Sequence, residues 1–181
     1  MRNYSLDTLK LICAIFVIFA HTPQPGIWEN YITPLLRCAV PIFFMMSGYF
    51  TYGKKDIKHT IYKRITQLLT IFVIVFLFYF SLFMIANGKD SLEHLSVLFS
   101  YNFILLNTVP YSMHLWYIAA YIYVLLIILL VDKYNLYNWL FYITPILLLS
   151  GLLIGKYSEI LLSHYYPPNY TRNFLFTGLP F

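Results

Sequence analysis

The sequence predicts an all-α integral membrane protein: a multi-span helical bundle of about five transmembrane helices, with one further segment that is re-entrant or interfacial. Three observations carry this. Of the 181 residues, 60% are hydrophobic and only 10% charged, against about 25% charged in a soluble domain. Apolar runs of about 20 residues recur along the chain, the length that crosses a hydrocarbon core of about 30 Å at 1.5 Å per residue. Twelve Lys and Arg against seven Asp and Glu give a net charge of +5, but five of the basic residues, Lys54, Lys55, Lys58, Lys63 and Arg64, fall in one loop between apolar segments. That clustering is the bias of a cytoplasmic membrane loop, so the bilayer rather than nucleic acid is the expected partner.

The first span is expected over residues 5–21 and beyond. Arg2 and Lys10 before the apolar run 11–20 imitate the charged start and core of a signal peptide. The residues around Ala20 make a poor cleavage site and the rest of the chain is equally apolar, so the segment is read as a retained anchor. The second span is expected over 32–52, the third over 66–86, the fourth over 114–131 and the fifth over 139–155. The basic loop between spans two and three lies in the cytoplasm by the positive-inside rule, which puts the N-terminus there too. Residues 95–109 are apolar over about 15 positions, short for a crossing. The polar stretch 156–172 is rich in tyrosine and proline, and its Tyr165-Tyr166-Pro167-Pro168-Asn169-Tyr170 segment suits either stacking on a sugar or a plain interfacial loop. With no internal repeat, low-complexity tract or soluble domain, residues 1–181 read as a single membrane-embedded domain. The apolar run 173–181 has no polar terminator, and the domain is expected to be truncated at its C-terminal end.

His21 follows ten uninterrupted apolar residues after Lys10, about 15 Å of helix and so near mid-depth. Pro23, Pro25 and Gly26 then interrupt the helix, and irregular backbone at that depth survives only where it lines a cavity or is buried in protein. A polar pocket is therefore expected, with a histidine able to take and return a proton near neutral pH. The alternative is a histidine bonded to a neighbouring helix. Lys10 and His21 are eleven residues apart, three helical turns, so they share a face about 16 Å apart along the axis. Lys10 then either draws an anionic ligand to the cytoplasmic mouth or serves as a snorkelling anchor. Asp7, three residues earlier, pairs with Lys10 or caps the helix start.

Arg37 falls inside the second span, where a guanidinium must face a partner or a wet cavity. Ser47 and Gly48 form a small pair in a bulky helix, open to close approach by a helix or a ligand. His114-Leu115-Trp116-Tyr117 opens the fourth span as an interfacial belt. Cys13 and Cys38 lie in apolar segments and are read as packing residues, so neither a disulfide nor a metal site is expected. No glycine-rich phosphate loop, nucleophile elbow or His-Glu-x-x-His pair occurs. The scarcity of acidic residues also argues against a carboxylate proton relay.

Taken together, Leu6-Asp7-Thr8-Leu9-Lys10, His21, Val40-Pro41-Ile42-Phe43-Phe44-Met45-Met46-Ser47-Gly48-Tyr49 and His114-Leu115-Trp116-Tyr117 resemble, in order and spacing, the bacterial membrane-bound acyltransferase family 3. Arg172-Asn173-Phe174-Leu175-Phe176 resembles a further family segment. The resemblance implies about ten spans, of which this chain would be an N-terminal portion in a bacterial plasma membrane. It implies transfer of an acyl group, usually acetyl, from acetyl-CoA or another acyl-CoA onto a hydroxyl of a cell-surface glycan or lipid-linked sugar, with no tightly bound cofactor. By the same resemblance His21 is the catalytic histidine and Lys10 stands where the family more often has arginine. Arg64 helps hold the donor, and Ser47, His114 and Trp116 occupy the other motif positions of the pocket, to which Asp7 and Arg37 are added on their own chemistry. Family-3-like membrane domains also occur fused to a soluble racemase in membrane serine racemases, where uptake is the proposed role. A binding or transport module is therefore the competing class, and an inactive truncated fragment is a third.

Overall fold

The structure, a computed structural model, describes residues 4–22, 26, 28–54, 56–87, 96, 99–155, 157–164, 166–167 and 170–181. Among the described residues every regular element is helical. The chain divides into two compact units, residues 1–55 with Phe181, and residues 56–180.

The first unit holds α1 (Tyr4–Ala20), α2 (Trp28–Arg37) and α3 (Ala39–Thr51), with α1 packed on both others. Lys10 Nζ lies 4.3 Å from the centre of the Phe50 ring. The first half of α1 is thereby beside the end of α3. Cys13, Leu36, Ala39, Phe44 and Met46 are its buried apolar side chains. Pro41 explains the break between α2 and α3. Having no N–H, it cannot bond the carbonyl of Arg37 four residues back. The backbone instead tightens, Cys38 N to Leu35 O at 3.1 Å, and restarts with Ile42 N to Cys38 O at 3.2 Å.

The second unit opens with α4 (Ile57–Asn87), 31 residues long. Asp56 caps it, its Oδ1 accepting from His59 N at 3.0 Å, one of the donors a helix start leaves unpaired. A six-residue α5 (Tyr101–Leu106) and a single 3-10 turn (Met113–Leu115) lead into α6 (Trp116–Tyr134). α6 ends at Asn135, in the left-handed region at φ 54°. Leu136 N then bonds back to Val131 O at 2.9 Å, the closure that satisfies a helix's last carbonyls. After this two-residue link α7 (Tyr137–Gly155) turns back, followed by α8 (Ser158–Leu162) and a π-type turn over Phe174–Gly178.

α4 and α6 form an antiparallel hairpin whose register is visible at each level. At one end Lys58 Nζ stands 4.0 Å from Asp132 Oδ2. Above it Ile61 and Ile65 bury against Leu125, with Leu68 and Tyr121 packed on them. Higher still Phe72, Val75 and Phe76 meet Leu115 and Ala119. At the far end the Tyr111 ring lies 5.4 Å from Phe80 and 5.1 Å from Phe83.

Among the described residues four stretches are long and apolar enough to cross a membrane: Tyr31–Thr51, Ile57–Asn87, Trp116–Tyr134 and Tyr137–Gly155. They answer to expected spans two to five. α1, the expected first span, is 17 residues long, at the short end of what can cross. Within 95–109, residues 95, 97 and 98 lie outside the described residues. The helix found there, α5, rises only about 9 Å and cannot cross. Hydroxyls along these helices are satisfied internally, as lipid demands: Thr51, Thr66, Thr70 and Thr144 each donate to the carbonyl four residues back, at 2.7, 3.0, 2.9 and 2.8 Å.

Candidate active site residues

Five of the residues singled out by sequence fall in the first unit. Lys10 and Asp7 are joined, Nζ to Oδ1 at 3.6 Å, and the same ammonium sits over Phe50. Lys10 thus lies beside a carboxylate and an aromatic face while staying part-exposed. The helix is continuous from Lys10 to Ala20, which preserves the axial distance of about 16 Å to His21.

His21 itself comes off the last turn of α1, its N–H bonding Ile18 O at 3.1 Å. The imidazole is exposed on the surface of the described residues. The helix stops at Ala20, one residue before the histidine, so His21 stands on a helix end instead of within a packed helix face. Thr22 closes the same turn, its hydroxyl donating to Phe19 O at 2.9 Å. Pro23 and Pro25, expected to break the helix, lie outside the described residues, and Gly26 follows at φ 61°.

Arg37 is the last residue of α2 and is exposed. It lies inside the stretch Tyr31–Thr51, at the break at Cys38. Ser47 is half-buried on α3, its carbonyl accepting from the Thr51 hydroxyl. Beside it Gly48 is exposed and a Cβ there would meet nothing within 4 Å. The small pair is therefore an open notch, and the close helix approach expected of it is made by other glycines. In α7 a Cβ at Gly151 would lie 3.1 Å from Phe176 Cβ, and one at Gly155 would lie 3.3 Å from Thr171 Cγ2. The missed signal was Gly151-Leu152-Leu153-Ile154-Gly155, small residues one turn apart.

The remaining residues belong to the second unit. Arg64 is half-buried on α4, between Ile61 and Ile65, and hydrogen-bonds the Tyr121 hydroxyl of α6. His114 is exposed in the 3-10 turn, and Trp116 begins α6 half-buried. Trp116 and Tyr117 rings meet edge-on at 6.4 Å, and Tyr117 stacks on Tyr121 at 6.1 Å. A run of rings therefore connects the His114-Leu115-Trp116-Tyr117 tetrad to Arg64, two motifs the sequence keeps 50 residues apart, from 64 to 114.

Sequence reasoning missed buried Asn107, and it named buried Asn173 only within a family segment, without a role. Asn107 is fully buried at φ 55°, and its Oδ1 accepts from Phe174 N at 2.9 Å. Asn173 Oδ1 accepts from Leu175 N and Phe176 N, both at 3.0 Å, and so starts the π-type turn. Within the 165–170 loop, Tyr165, Pro168 and Asn169 lie outside the described residues. Tyr166 packs edge-on against His164 at 4.8 Å and Tyr170 at 5.6 Å. Among the described residues no group of three His, Cys, Asp or Glu could hold a metal.

A family profile described as Acyltransferase domain matches residues 3–181. The match supports neither the bacterial source nor the N-terminal-portion expectation. An amino-acid racemase of Enterococcus faecalis is 29% identical over 130 residues, which cover 66% of this chain and 18% of that protein. The chain thus spans a little under a fifth of the curated relative it matches. No solved structure matches.

Proposed function

Because this chain belongs to the Acyltransferase domain family, matching it over residues 3–181, we propose that it is an integral membrane O-acyltransferase using an acyl-CoA, with acetyl-CoA as the donor and a hydroxyl of a cell-surface glycan or lipid-linked sugar as the acceptor. The observation that carries the reading is α1, which presents Lys10 and, beyond its end, an accessible His21 inside a chain matched throughout by the family. His21 acts as general base. Its neutral imidazole takes the proton of the acceptor hydroxyl as that oxygen attacks the thioester carbonyl, and coenzyme A leaves as the thiol. A positioned base of this kind contributes about 10² to 10⁴ in rate. Lys10 and Arg64 supply positive charge for the donor's phosphates, with Arg64 able to form a bidentate pair that a lysine cannot. Asp7, Arg37, Ser47, His114 and Trp116 are assigned to the pocket. The chain acts as one acyltransferase domain in a bacterial plasma membrane, its N-terminus and basic loop cytoplasmic.

The test is transfer of radiolabelled acetyl from acetyl-CoA by membranes carrying the protein or its His21→Ala variant at equal inserted amounts. A loss of about 10² to 10⁴ supports the base role, and transfer at the wild-type rate would refute it. The racemase match favours a second reading, a binding or transport module attached to other enzymatic domains. Function independent of acetyl-CoA would select that reading instead.

A further inference from the structure

We infer that Tyr121 is a positioning residue for Arg64, its hydroxyl holding the guanidinium in place to meet the donor's phosphates. The inference rests on the acyl-CoA reading and adds to it a residue that no motif marks.

A long cationic side chain near a membrane boundary ordinarily swings outward to the headgroups. Arg64 has reason to do so, since it stands only six residues beyond Lys58, about 9 Å along α4. Lys58 marks the hairpin's outer level through its pairing with Asp132 of α6. Tyr121 stands eleven residues before Asp132 on α6, about 16 Å deeper. A hydrogen bond from Arg64 to that hydroxyl therefore draws the guanidinium inward along the hairpin. The hydroxyl is itself fixed. The Tyr121 ring stacks on Tyr117 and packs against Ile61, Ile65 and Leu125, all within one unit. A phenol accepting from a guanidinium still has its own proton to donate, and Arg64 has five N–H donors, so holding one leaves others for an anion.

The experiment measures binding of coenzyme A, and of pantetheine, which lacks the phosphates, to the purified full chain in nanodiscs. Wild type, Tyr121→Phe, Arg64→Ala and the double variant are compared. Tyr121→Phe keeps the packed ring and removes only the hydroxyl. It is expected to weaken coenzyme A about 3- to 10-fold, the net size of one ordinary hydrogen bond, to leave pantetheine unchanged, and to add nothing once Arg64 is alanine. If Arg64→Ala weakens coenzyme A while Tyr121→Phe does not, the positioning role falls and the donor reading stands. Equal weakening of both ligands would mark a merely structural tyrosine and also overturn the inference. A wild-type protein that binds no coenzyme A, or an Arg64→Ala that binds it undiminished, would overturn the role assigned to Arg64 and the inference with it.

Discussion

Asn107 offers the sharpest stability prediction, because two separable effects act on one side chain. Its Oδ1 takes the N–H of Phe174, 67 residues along the chain, at 2.9 Å, and its backbone sits at φ 55°. Asn107→Ala leaves the Phe174 N–H unpaired in a partly buried site, costing about 1–3 kcal/mol. It also forces a non-glycine residue without asparagine's tolerance into the left-handed region, costing about 1 kcal/mol more. Asn107→Gly removes the same acceptor but adopts that backbone freely, so only the first cost applies. At about 2–4 °C per kcal/mol for a chain of this size, alanine should lower the apparent melting temperature by about 4–16 °C, with glycine intermediate. Size-exclusion chromatography of a fluorescent fusion, heated in detergent, reads the order directly. Variants melting together with wild type would mean that Phe174 N–H finds another acceptor and that the asparagine does not tie these segments.

Gly151→Ala should destabilise while Gly155→Ala stays near neutral. Overpacking costs about 1–3 kcal/mol, and at Gly151 the obstructing atom is Phe176 Cβ, fixed to the backbone, whereas at Gly155 it is the Thr171 methyl group, which can rotate. The same heating assay checks this, and the reverse order would refute it. Lys10→Met should weaken coenzyme A binding more at low salt than at high, since an exposed charge is screened over about 10 Å at 0.1 M. Asp7→Asn, which releases Lys10 from its carboxylate, should tighten binding by a few-fold at most, because such a part-exposed pair is worth about 0–1 kcal/mol. A titration of each variant at two salt concentrations decides, and no effect of Lys10→Met at either would remove it from the donor site.

Hydropathy located the spans well at the ends where lipid meets a loop. The expected second span, 32–52, differs from the observed Tyr31–Thr51 by one residue at each end. The third was expected to begin at 66 but α4 starts at Ile57. Apolar composition marks only the part of a helix in lipid, and His59, Lys63 and Arg64 continue the helix outside it. The break at Cys38 was written in Pro41 yet hidden inside an apolar run. The relative placement of candidate residues was legible where one helix carries them, as α1 carries Asp7 and Lys10. They were illegible where distant segments meet: Tyr121 earns its place only once α4 and α6 pair, and Asn107 only once residue 174 returns to it. The exposure of His21 was not legible, since it follows from α1 ending at Ala20, one residue before it.

α4 has 31 residues while α6 and α7 have 19 each, so a helix of about 46 Å is clasped to one of about 28 Å. A bilayer core near 30 Å suits the shorter pair and leaves α4 with length to spare. When the membrane thickens, α4 can tilt or draw in its basic end, but α6 and α7 have no such reserve and the mismatch strain falls on them. That strain would be felt at the α4–α6 register, where Arg64 meets Tyr121. Lipid chain length would therefore bear on α6 and α7 before it bears on α4.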